Sequence, residues 1–200
     1  MKKKLWSRLF LLGILLAAVL CGCGARQDTP DPGRSLVRVW GPVLQAEDET
    51  MILDNRSDSA SLGALALAID PDSTKILDAQ NGFPVELSEL EEDEAVLAYV
   101  PNPAALSEPP AVNAEAILCH LPADLRVPDY LRVEALEQQS GGSYLLTSES
   151  GTEYLIPADC EIIPYLTKNR VVLADLKKGS VCLLWSDEKR AAQKILLFAD

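Results

Sequence analysis

The chain writes one layout twice, and that repetition limits its folds more than any other feature. Residues 171–185 read VVLADLKKGSVCLLW and residues 84–99 read PVELSELEEDEAVLAY. Each stretch has a Leu-x-x-Leu turn and then an apolar run ending in an aromatic residue, Trp185 in one and Tyr99 in the other, with nearly opposite charge between. The match extends when residues 131–198 are set beneath 36–118. LRVEA (131–135) alternates apolar and polar side chains, as a half-buried strand does. YLLT (144–147) and EYLI (153–156), separated by the turn SESG, read as second and third strands. CEIIP (160–164) leads into a loop, and LADL (173–176) has the length of a single helical turn. Gly179 can take the left-handed stop after it. VCLLW (181–185) and KILLF (194–198) are the fourth and fifth strands.

The first copy runs in the same order: VRV (37–39), MIL (51–53), ALALAI (64–69), DSTKIL (72–77) in the slot of 160–163, LSEL (87–90), AVLAY (95–99) and AIL (116–118). Asp93 stands where Gly179 stands, and Asp tolerates a left-handed backbone better than most residues. Five strands with a helical turn between the third and fourth is the order of an OB-type barrel. The expectation is therefore all-β: two tandem, small, five-stranded OB-like β-barrel domains at 36–121 and 130–200, joined by a short linker at 122–129 containing Pro122 and Pro128. Closure would remove exposed strand edges from units of about 70 residues. The competing architecture is a pair of open meanders packed on each other.

Ahead of the repeat, MKKKLWSRLFLLGILLAAVLCGCG has a basic start, an apolar run and small residues, the order of a secretory signal. The run 9–23 would span about 22 Å as a helix, short of the roughly 30 Å hydrocarbon core. Leu20-Cys21-Gly22-Cys23 resembles a bacterial lipobox, so residues 1–22 are expected to be a lipoprotein signal peptide cleaved before Cys23, whose sulfur takes the lipid. Secretion without lipid and an uncleaved anchor are the alternatives. Residues 23–35, nearly free of apolar side chains and holding two prolines, read as a flexible tether.

The formal net charge is −12, and residues 1–22 contribute Lys2, Lys3, Lys4 and Arg8 with no acid. The remainder holds 14 basic against 30 acidic side chains, net −16. Such a surface repels nucleic-acid backbones and anionic headgroups and favours solubility and cationic partners. With aromatic content of only 6%, the single-strand binding common among OB barrels is not expected. The run Glu89, Glu91, Glu92, Asp93, Glu94 lacks the alternating pattern and central Gly of a calcium loop, and reads as a solvated turn.

His120, the one histidine, follows Cys119. On a regular strand the two side chains would face opposite ways, and no C-x-x-C or second His accompanies them beyond residue 23. No metal, cofactor or nucleophilic dyad is expected. Cys160 and Cys182 are either bridged or small buried thiols. The loop 102–110, NPAALSEPP, is an insertion of the first copy and an ordered-by-proline contact surface, or else a rigid cover on the body. Asn102, Pro103, Ser107, Pro109 and Pro110, with the aromatics Tyr99, Tyr165 and Trp185, are the candidate partner contacts.

Tyr99-Val100 followed by Ser107, Pro109-Pro110, Ala114 and Ile117, together with YLTKN (165–169), LKKG (176–179) and Trp185, resembles a family of secreted or lipid-anchored proteins of clostridial-type Gram-positive bacteria that carry tandem small β-barrel domains of unknown function. Pro101-Asn102 stands where that family's Gly-Pro is expected, and Ala105 where its Thr is expected. The resemblance implies an envelope location and no known activity. The expected role is a non-enzymatic binding module, held to the membrane by its lipid and facing an envelope protein or cell-wall partner. The alternatives are an envelope hydrolase using paired carboxylates and a structural spacer or regulatory lipoprotein.

Overall fold

The computed structural model describes residues 36–58, 62–101, 109–124, 126–167 and 170–198. Thirteen strands fall into two sheets. The first lobe holds β1 (Leu36–Glu47), β2 (Thr50–Asn55), β3 (Gly63–Ala68), β4 (Lys75–Asp78), β5 (Ala95–Pro101), β6 (Ala111–Asn113) and β7 (Ala116–Cys119). The second holds β8 (Asp129–Gln138), β9 (Tyr144–Ser148), β10 (Glu153–Ile156), β11 (Glu161–Pro164), β12 (Val181–Ser186) and β13 (Ala192–Leu197). The helical content among the described residues is three short 3-10 turns, of which Leu87–Glu89 and Leu173–Asp175 occupy equivalent places before β5 and β12.

The repeat seen in the sequence is a repeat of topology. The first sheet runs β4-β7-β5-β1-β2-β3-β6, and the second, read in the same sense, β11-β13-β12-β8-β9-β10. β4 and β7 pair in parallel, as do β11 and β13, while β5 and β12 are antiparallel to both neighbours. The register of the first strand slips between Val43 and Gln45 against β2, and that of β8 slips between Val133 and Ala135 against β9. Val43 N–H donates to Glu94 O at 2.9 Å and Val133 N–H to Ser180 O at 2.8 Å. Asp93 and Gly179 both have positive φ, 66° and 88°, and donate to the carbonyls of Val43 and Val133. The two 3-10 turns are capped alike: Glu89 Oε1 accepts from Glu86 N–H at 3.1 Å, and Asp175 Oδ2 from Val172 N–H at 2.8 Å.

The all-β class holds, and three details differ from expectation. The slots at 72–77 and 160–163 contain strands, β4 and β11, because each finds a parallel partner far along the chain. The first strand matches its repeat mate at Val43 rather than Val39, because β1 is long enough to pair with β5 through 36–42 before bending to β2. The sheets are not closed barrels: in the first, the order ends at β4 and β6, which do not pair with each other.

Alternation along the central strands divides the apolar side chains among three cores. Val96, Ala98, Val100, Ile117 and Cys119 join Val39, Val43, Met51, Leu53, Leu65 and Leu67 inside the first lobe. Cys182, Leu184, Ile195 and Leu197 join Leu131, Val133, Leu146, Tyr154 and Ile156 inside the second. The opposite faces of the same strands meet each other, so Leu77, Leu97, Tyr99 and Leu118 pack with Leu183, Leu196, Phe198 and Trp185. Strands buried on both faces read as continuous apolar runs, as AVLAY and VCLLW do.

Polar contacts tie this seam. Trp185 Nε1–H donates to Ala79 O at 2.9 Å, and the Lys194 ammonium sits 3.7 Å from the centre of the Trp185 ring. Asp129 takes the Arg38 guanidinium at 3.1 Å on one oxygen and the Tyr154 hydroxyl at 2.9 Å on the other. Gly82, at φ 82°, lets its loop lie flat on the seam; a Cβ there would come within 2.8 Å of Leu196 Cδ2 and 2.9 Å of Trp185 Cη2.

Candidate functional site

At one end of the first lobe the chain gathers four chemistry-bearing side chains from three places. Asp78 ends β4, Cys119 ends β7 and is its register partner, His120 follows, and Glu94 immediately precedes β5. His120 has φ 52°, a left-handed backbone that ends the strand alternation. Its side chain therefore does not point away from that of Cys119: ligand-type atoms of Glu94, Cys119 and His120 all lie within 4.8 Å of one another. The expectation of opposite faces is corrected here, because it assumed a strand that had already ended.

The ring is held from both sides. Asp78 Oδ2 lies 2.9 Å from His120 Nδ1, and Glu94 Oε1 lies 3.9 Å from Nε2. Glu94 Oε1 also accepts the His120 backbone N–H at 3.0 Å. Gln80 Nε2 donates to His120 O at 3.2 Å, which fixes the turn. The hydrogen bond to Asp78 raises the His120 pKa above its ordinary value; partial desolvation opposes this, and the charges of Glu94, Asp78 and Glu89 add to it. Burial alone would raise the Asp78 carboxyl, but the His120 bond and the N–H groups of Gln80 and Asn81 outweigh it and bring it below the usual range. Cys119, fully buried, has its thiol pushed up to about 12 by burial and then by the charges of Glu94 and Asp78, and it donates to Leu77 O at 3.4 Å. It is no nucleophile in this state.

An open cleft of about 650 Å³ lies over this cluster, lined by Glu89, Glu91, Glu92, Asp93, Glu94, Ala95, His120 and Leu121. Glu89, Glu91, Glu92 and Asp93 are exposed, as expected of a solvated turn, but Glu94 is half-buried, and the run walls a groove that His120 faces. Asp78 did not stand out in the sequence, and Glu94 did so only as the last member of an acidic turn. The signal for Asp78 is the pairing of β4 with β7, a contact between segments about 40 residues apart; Glu94 is brought in from the residue before β5 by its bond to the His120 N–H.

The expected lipidation site, Cys23, lies outside the described residues, as do the candidate partner contacts Asn102, Pro103 and Ser107. Pro109 is exposed and Pro110 half-buried, its carbonyl accepting Ala66 N–H at 2.8 Å. Tyr99, Tyr165 and Trp185 come together, but in the seam between the lobes. Tyr99 is 4% exposed and meets Tyr130 at a tilt, 5.6 Å between ring centres; Tyr165 meets Phe198 edge-on at 4.9 Å. Tyr99, whose hydroxyl donates to Pro128 O, and Trp185, which donates to Ala79 O, reach the other half of their own chain. Cys119, Cys160 and Cys182 are free thiols.

No protein-family model matches the chain, and no curated protein matches its sequence. No helix among the described residues is long and apolar enough to cross a membrane.

Proposed function

We propose that this chain is a lipid-anchored, extracytoplasmic binding module of the clostridial-type envelope proteins it resembles, carried outward on a short tether and engaging a cationic partner through the acidic cleft. The observation that carries the binding part is the cleft itself, where Glu89, Glu91, Glu92 and Asp93 line a groove beside His120, whose own carboxylates, Asp78 and Glu94, are already engaged. A hydrolase of the paired-carboxylate type needs one carboxyl kept protonated as the acid. Both carboxylates beside His120 already accept backbone N–H groups, Asp78 Oδ1 from Gln80 and Asn81 and Glu94 Oε1 from His120, contacts that favour the ionised form and so favour binding over that reading. The lipobox-like Leu20-Cys21-Gly22-Cys23 supports the anchor.

We further read each lobe as a partly open OB-like barrel. In the first lobe β3 pairs in parallel with β6, and only Ala114 and Glu115 separate β6 from β7, the neighbour of β5. In the second, Leu155 bridges Ala191, just before β13, in the same parallel sense. A bent last strand that touches the third strand at its start and the fourth at its end supports this reading.

Two measurements test the proposal. Cys23→Ala should abolish lipid labelling and release the protein from the membrane fraction; normal labelling and retention would remove the anchor. Binding of an oligolysine peptide should weaken at least tenfold in the Glu91→Lys, Glu92→Lys double variant. Equal binding by both would remove the cleft as the contact.

A further inference from the structure

The acidic cleft explains Glu89 to Asp93 but not why a buried thiol, an imidazole and a carboxylate converge beneath it. We propose that Glu94, Cys119 and His120 form a site for a divalent ion of the zinc class, with Asp78 as the positioning residue for the His120 ring.

Three observations carry this. The first is the donor set. Sulfur, imidazole nitrogen and carboxylate oxygen together are the mixture a borderline-soft ion takes, whereas calcium and magnesium select oxygen alone. Tetrahedral coordination at the usual zinc distances puts donors about 3.3–3.6 Å apart. Here they lie within 4.8 Å, and His120 Nε2 and Glu94 Oε1 at 3.9 Å, so side-chain shifts on the order of 1 Å complete the set.

The second is the ring's orientation. Asp78, an ionised acceptor, engages Nδ1 at 2.9 Å, so Nδ1 carries the hydrogen of the neutral ring. The Nε2 lone pair is left facing Glu94. A carboxylate behind a ligating histidine is the recurrent support of zinc sites. On binding, the Cys119 thiol releases its proton to solvent as the sulfur–metal bond forms. The open cleft leaves room for a solvent molecule or a partner's group as the fourth ligand.

The third is the second lobe, which serves as an internal control. The positions equivalent to Asp78, Glu94, Cys119 and His120, matched through the same pairings, are Pro164, Ser180, Leu197 and Phe198. The fold keeps a side-chain acceptor at one of these places, where Ser180 Oγ takes the Lys177 N–H at 3.1 Å as Glu94 Oε2 takes that of Glu91 at 3.4 Å, but the second lobe has no carboxylate, thiol or imidazole at any of the four. All four occur together in one lobe, at one point.

The test uses the full chain in detergent, stripped with chelator, titrated with Co²⁺ and then Zn²⁺. One equivalent of Co²⁺ should produce a thiolate-to-cobalt charge-transfer band, and Zn²⁺ should abolish it. Cys119→Ser should remove the band, which separates this thiol from Cys21, Cys23, Cys160 and Cys182. His120→Asn, which accepts the left-handed backbone and touches no core, should weaken Zn²⁺ binding at least tenfold. Asp78→Asn should weaken it about 10–100-fold. A band that survives Cys119→Ser, or Zn²⁺ affinity unchanged within twofold in His120→Asn, would mean adventitious binding at other thiols or surface carboxylates and would overturn the site. The site does not depend on the lipid anchor or on the cationic partner, and each of these fails in its own assay.

Discussion

The two lobes share a backbone plan and differ in what they hang on it. Strand order, the slip after Val43 and Val133, the capped 3-10 turn and the left-handed residue after it recur in both. The turn carries Glu91 and Glu92 in one lobe and Lys177 and Lys178 in the other, with Lys178 paired to Glu134. At the strand ends, Asp78, Glu94, Cys119 and His120 oppose Pro164, Ser180, Leu197 and Phe198. Phe198 is spent on packing, against Tyr130 and Tyr165 at the seam, while His120 faces an open groove. What recurs is what the fold requires, and what differs is where the chain was free to place chemistry.

The largest expected effect concerns whether the lobes are one folding unit. Leu183 is fully buried and faces the seam rather than its own lobe's interior. Leu183→Ala should cost about 2–5 kcal/mol. Urea unfolding followed at Trp40 in the first lobe and Trp185 in the second should move together to lower midpoints. A shift at Trp185 alone would make the lobes independent. Next in size is Gly82→Ala, which meets both a left-handed backbone and a 2.8 Å approach to Leu196. A loss of roughly 1–3 kcal/mol is expected. Ala at Gly151, left-handed with open space around it, should lose less, and the difference isolates the seam contact.

The left-handed positions sharpen the comparison further. Asp93→Gly should be neutral to stabilising by up to about 1 kcal/mol, and Gly179→Asp the reverse, since both occupy the same turn. Thermal unfolding of the pair measures it; effects of the same sign would mean the turns are not equivalent. The smallest effect is electrostatic. In metal-free protein the His120 ring, followed by NMR, should titrate above 6.5 because Asp78 accepts from its protonated form. Asp78→Asn should return the midpoint toward 6.5.

Much of the plan was legible because its signals are local. A Leu-x-x-Leu turn, an Asp or Gly that accepts positive φ, and an apolar run ending in an aromatic all lie within about 15 residues, and they recur at one offset, from Leu87 to Leu173 and from Tyr99 to Trp185. β4 and β11 were not legible as strands. Four residues beside a turn become a strand only through a parallel neighbour that arrives much later in the chain. The seam was hidden for a related reason: an unbroken apolar run shows that both faces are buried but not against what. Tyr99 and Trp185 read equally as contact surface or as packing, and the seam makes them packing. The cluster at His120 was missed because alternation was carried one residue too far.

The seam is made of the same positions from each side: Leu97 and Leu183, Leu118 and Leu196, Tyr99 and Trp185. A surface that mates with its own counterpart is what a twofold dimer uses. A chain cut within 122–128 should therefore yield halves that do not stay single. Each would carry a bare oily back shaped to receive a relative of itself, and the half containing Tyr99 would pair with another copy. On this view the short connector between the lobes does more than join them: it keeps a ready-made twofold partner within reach, turning an association that would depend on dose into one that does not.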